Sequence, residues 1–149
     1  MPLYDQEKMA NLVSEFRKSV TRLQKLKQLG KQKFLSDPDK IGSAKYHFIV
    51  VIESCIDMCN HIISRNGYRV PDDYADTFRV MSEERVFDKE FSTELVKMAK
   101  FRNRLVHLYW DVDDEMIYTI LKRHLGDLDR FLKSIAKFLK WDVREGSKT

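Results

Sequence analysis

Arg102, His107 and Tyr109 stand in one short string, Phe101-Arg102-Asn103-Arg104-Leu105-Val106-His107-Leu108-Tyr109-Trp110. It is the one place where an arginine precedes any of the four histidines by five to seven positions. A guanidinium offers a planar fork of donors that grips phosphate bidentately. An imidazole, with an ordinary pKa of about 6.5, moves protons near neutral pH. The pair suits RNA, whose 2′-hydroxyl attacks the adjacent phosphate to leave a 2′,3′-cyclic phosphate and a free 5′-hydroxyl. That reaction needs a proton acceptor on the attacking oxygen and a donor for the leaving oxygen, and His107 suits either role. It also needs positive charge where the transition state gathers negative charge, and Arg102 supplies it. Asn103 and Arg104 add a hydrogen bond and a second cationic contact. The chemistry requires no metal, and no metal-ligand cluster is legible along the chain.

Helical geometry constrains this reading. Arg102 and Tyr109 are seven residues apart, so on a continuous helix they share a face. His107 falls about 140° around the cylinder from Arg102. One straight helix therefore keeps Arg102 and His107 apart. Either the helix loosens before Trp110, or a second copy of the chain completes the site across a two-fold axis.

The elements that must position the string read as helices. Met9, Leu12, Val13, Phe16, Val20, Leu23 and Leu26 recur at helical spacing in a segment from Asp5 to Leu35. Ser36-Asp37-Pro38-Asp39 interrupts it, with Asp37 as N-cap and Pro38 in the first turn. A second segment runs to about Arg65 with a wide apolar face from Ile41 to Ile63. It is the least charged segment and is expected at the centre. Glu53 and Asp57 are carboxylates four apart within it, placed either at a solvated edge or to orient a basic group of the string. Asn66-Gly67 signals a left-handed cap. Asp72 or Asp73 then caps a short helix carrying Tyr74, Phe78 and Met81. A fourth segment from Asp88 to about Tyr109 has a core face of Phe91, Leu95, Met98, Leu105 and Val106. Asp113 caps the last helix, whose apolar residues run from Met116 to Leu139. The expected fold is all-α, four long helices plus a short one, in a single domain over residues 1–141. A polar, disordered tail follows at 142–149.

Composition bounds the rest. The chain has 149 residues, 43% hydrophobic and 34% charged, with a net charge of +4. That is enough for a real core and basic enough to permit nucleic-acid contact. No uninterrupted apolar run reaches the length of a membrane span, and the first residues do not read as a signal peptide. A cytoplasmic location is expected. Cys55 and Cys59 are four apart on a helix and read as buried, reduced core residues rather than metal ligands.

The string, together with Ile52-Glu53-Ser54-Cys55-Ile56-Asp57, Asn60-His61-Ile62-Ile63, Pro71, Tyr74 and Phe78, resembles the HepT-like toxins of the HEPN superfamily. The resemblance covers roughly Asp5 to Leu139. It implies a dimeric helical bundle and a metal-independent endoribonuclease that cuts tRNA or mRNA without a cofactor. Arg102 and His107 would be catalytic, with Asn103 and Arg104 in support. It also implies a type VII-like toxin–antitoxin system. There, a minimal nucleotidyltransferase (MNT) antitoxin silences the toxin by moving AMP onto the motif tyrosine, here Tyr109. The alternative is a non-catalytic helical subunit that binds a nucleotidyltransferase or a nucleotide.

Overall fold

The computed structural model describes residues 2–141, and among them every regular element is helical. The elements are α1 (Gln6–Lys27), α2 (Lys31–Leu35), α3 (Pro38–Asn66), α4 (Tyr74–Glu83), α5 (Lys89–His107), α6 (Asp114–Arg123) and α7 (Leu125–Leu139). A 3-10 turn, Tyr109–Asp111, links α5 to α6. The tail from Asp142 lies outside the described residues.

Aspartates set most of the helix starts. The Asp37 carboxylate accepts from the Asp39 and Lys40 amides at 3.0 and 3.3 Å, directly ahead of Pro38. Asp73, rather than Asp72, caps α4 by accepting from the Asp76 amide at 2.7 Å. Asp88 and Asp113 do the same for α5 and α6. Each cap satisfies amides that the first helical turn leaves without partners. Gly67 closes α3 at φ +66°, a conformation that costs glycine no Cβ clash.

α3 is the central element. α1 lies along it, and α4, α5 and α6 pack on its remaining sides. Phe48, Val51, Ile52, Cys55, Cys59 and Ile62 are all buried there. Both cysteines are free thiols, and burial pushes them well above the ordinary thiol range, as suits inert core residues. α3 is also long and apolar enough to cross a membrane, with 29 residues and a mean hydropathy of 1.2 over its most apolar stretch. No uninterrupted run marks it in the sequence, because scattered charges break the apolar stretch without lowering its mean. Some 61% of that stretch is buried inside the protein, so neighbouring helices already cover its apolar surface.

Two expected long helices are divided. The first ends at Lys27, and the chain turns through Leu29 and Gly30 before α2. This turn seats Phe34 at 0% exposure, where its ring meets Tyr118 of α6 at 5.7 Å between centroids. Gly30 was the available signal. The last helix breaks at His124, which leaves helical geometry at φ −118°, ψ 3°. No proline or left-handed glycine marks that break. The apolar stripe continues on both sides of it, with Leu121 and Leu125 both buried, so periodicity could not reveal it.

The chain start is tied down through a histidine. The Asp5 amide donates to His61 Nε2 at 2.8 Å, so that nitrogen must carry a lone pair. Burial, then repulsion from Lys8 and Arg65, holds His61 below the ordinary histidine range, with Asp5 opposing. A lowered folded pKa means the unfolded chain binds the proton first. The stability from this contact is therefore full above about pH 6.5 and is lost as pH falls through the lowered folded value. Urea midpoints are expected to drop between neutral pH and pH 5. His61→Gln, which keeps an acceptor that does not titrate, should flatten that drop. Equal pH slopes in both proteins would remove His61 as the cause.

Candidate functional site

Arg102 sits on the face of α5 that meets α3 and α4. Its side chain is only 12% exposed, and its Nη2 lies 3.3 Å from Glu53 Oε1. Its Nη1 donates to Asn103 Oδ1 at 3.1 Å. The guanidinium stacks on Tyr74 at 4.9 Å from the ring centroid. Its Nε is buried with no acceptor, alone in this among the described side chains. Glu53 thus partners a basic group of the string. Asp57, one turn further on, is held above the ordinary carboxylate range by desolvation and by Glu53, with Lys8 and Arg102 opposing.

His107 is the last residue of α5 and is exposed. α5 stays helical from Arg102 through His107, so the two residues keep their separation around the cylinder. No hydrogen bond or ion pair joins them among the described residues. Arg104 is partly buried, with its Nη1 3.8 Å from Met116 Sδ of α6.

Tyr109 departs from the continuous-helix expectation. Leu108 leaves the helix at φ −132°, ψ 45°, and Tyr109 opens the 3-10 turn. Its ring lies under Lys45 of α3, with Nζ 4.2 Å from the ring centroid. Lys45 is 6% exposed and pairs with Asp114 at 3.6 Å. Arg102 and Tyr109 therefore touch α3 at positions eight residues apart, about 12 Å along its axis. They do not share a helix face, because the helix ends between them. Val106, expected in the core, is 41% exposed, and Leu108, Tyr109 and Trp110 continue an open apolar surface from it. The buried stripe of α5 passes through Leu105 instead, and adjacent helix positions lie about 100° apart.

Among the described residues there is one cluster of metal-ligand type that linear spacing hid. Donor atoms of Glu94, His124 and Asp127 lie within 4.8 Å of one another. They come from α5, the α6–α7 break and α7, so only the fold assembles them. His124 Nδ1 is 3.5 Å from Asp127, and Glu94 pairs with Lys97 at 3.3 Å. The cluster takes in no residue of the string.

These features define an all-helical HEPN-like bundle with its arginine–histidine string at the end of α5. The family model described as Ribonuclease HepT-like matches residues 16–135, and the chain belongs to that family. Its relatives include the mRNA nuclease HepT of Shewanella oneidensis, 26% identical over 84% of this chain and 93% of the relative. A crystal structure of a mutant toxin–antitoxin complex, MntA–HpeT, aligns at TM-score 0.80 with 25% identity, over 87% of this chain and 98% of that one. A tri-AMPylated HEPN toxin of Shewanella oneidensis in complex with MNT antitoxin aligns at TM-score 0.81 with 24% identity, over 91% and 99%.

Proposed function

We propose that this chain is a metal-independent endoribonuclease, the toxin of a type VII-like toxin–antitoxin system, and that AMP transfer to Tyr109 silences it. The observation that carries the reading is Arg102, held by Glu53 and Tyr74 within an Arg-Asn-x-Leu-Val-His-x-Tyr string of a ribonuclease family member. Two of its five N–H donors engage Asn103 and Glu53. Unused donors on a guanidinium are what a phosphate needs. Arg102 neutralises charge on the scissile phosphate, Asn103 and Arg104 support it, and His107 transfers the proton.

Within one chain His107 points away from Arg102, so the working site takes His107 and Arg102 from two copies. The exposed Val106, Leu108 and Trp110 supply an apolar surface for a homodimer contact beside the string. Tyr109 is 45% exposed, open to a partner enzyme. The cognate MNT antitoxin would transfer AMP from ATP to the phenol oxygen, with pyrophosphate leaving and the phenol proton going to solvent. The product places bulk and negative charge at the string and competes with RNA phosphate. The system would operate in the cytoplasm.

A second reading, a non-catalytic partner of a nucleotidyltransferase, draws support from the same arginine. Glu53 already offsets its charge, and little of it is exposed. Cleavage discriminates the two. The purified chain, shown by intact mass to carry no AMP, is incubated with labelled tRNA and mRNA in EDTA. Fragments ending in 2′,3′-cyclic phosphate are expected. Intact RNA throughout would overturn the nuclease reading in favour of the partner subunit.

A further inference from the structure

One face of the molecule beside the string combines open charge with an open ring. Lys45 is directed to Tyr109, and the next residue of α3, Tyr46, is 59% exposed. The Tyr46 ring meets His47 edge-on at 5.0 Å between centroids. His47 Nδ1 is hydrogen-bonded to Ser19 Oγ of α1 at 3.0 Å, which brings α1 alongside. Burial holds His47 below the ordinary range, and Arg22 of α1 lies close enough to add its repulsion.

Lys18, Arg22 and Lys25 follow one another at spacings of four and three, so they form a single row on α1. All three are exposed. Among the described residues Arg22 and Lys25 have no ion-pair partner, and Lys18 pairs only with the exposed Glu15 of its own helix. An unneutralised row of cations favours a polyanion. A second copy of this chain, at net charge +4, would meet it with like charge. An exposed tyrosine between such a row and the string adds a stacking platform, which single-stranded RNA uses and a buried duplex base does not.

We propose that Tyr46 and the row Lys18, Arg22 and Lys25 carry the single strand of the RNA substrate away from the cleavage string. Tyr46 stacks a base, and Arg22 and Lys25 hold phosphates. The proposal rests on the RNA-cleaving reading above and adds to it a binding track on α1 and α3.

The test is binding of a labelled single-stranded oligoribonucleotide by full-length protein carrying His107→Ala, which prevents cleavage during the titration. Tyr46→Ala is expected to weaken binding roughly 5- to 150-fold. Tyr46→Phe, which keeps the ring, should bind as the parent does. Arg22→Glu with Lys25→Glu should flatten the log–log salt dependence by about 0.7 for each phosphate the row no longer holds. Lys89→Glu, at the opposite end of α5, reverses one charge away from the track as a control and should change the slope little. Circular dichroism confirms the fold of each variant.

If the parent binds RNA and the track variants bind with equal affinity and slope, the track is overturned and the nuclease reading stands. If the parent binds no RNA, both fall. If the track variants keep RNA but lose the nucleotidyltransferase, the face is a protein-docking surface and the proposal is overturned.

Discussion

His107→Ala is expected to lower RNA cleavage by about 10²- to 10⁴-fold, the usual contribution of a positioned acid or base. The side chain is exposed at the end of α5, so its removal should leave the fold intact. Arg102→Ala is expected to cost about 10²- to 10³-fold by removing charge that the transition state needs. It also strands Glu53, whose side chain is 41% exposed and can regain water, so the structural cost stays small. Pairing it with Glu53→Gln separates the two effects. Activity should stay equally low although the unpaired carboxylate is gone. Arg102→Lys should not restore it, since an ammonium lacks the planar fork. The shared-site reading adds a sharper result. Dimers mixing a His107→Ala chain with an Arg102→Ala chain should recover activity, because one of their two sites is complete. Verified mixed dimers without activity would place a whole site in each chain.

Tyr109→Phe is expected to abolish AMP transfer while cleavage persists. The ring would remain over Lys45, since that contact uses the π face at 4.2 Å and not the hydroxyl. Only the nucleophilic oxygen disappears. Intact mass after incubation with the cognate nucleotidyltransferase and ATP should therefore show added AMP on the parent and none on the variant. In cells, the variant should be toxic even with the antitoxin present. AMP incorporation into Tyr109→Phe at the parental rate would move the acceptor elsewhere. Neutralisation without incorporation would point to simple complex formation as the silencing mechanism.

Much of the frame was legible along the chain because it rests on local rules. The aspartate caps, Pro38 in the first turn and the left-handed Gly67 each follow from the backbone needs of a few neighbouring residues. The 3.6-residue apolar pattern marked α3 as central because few polar positions interrupt it. The divisions at Gly30 and His124 were less legible. The first had only a lone glycine, and the second lies inside an unbroken apolar stripe.

The string was found in sequence because Arg, His and Tyr were close enough to be read together, and the family follows from that string with the matched α3 residues. What the tertiary structure alone decided is where those side chains go. Glu53 lies 49 positions from Arg102 in the chain yet pairs with it. Lys45 reaches Tyr109 because α3 and α5 run past each other, and Glu94, His124 and Asp127 meet only once α5, α6 and α7 have packed. The end of α5 at His107, where Leu108 leaves helical geometry, is encoded by no spacing rule. Periodicity reports which face of a helix is apolar. It carries no information on which distant element will cover that face, and that covering sets the contacts Arg102 makes with Glu53 and Tyr74 and Tyr109 with Lys45.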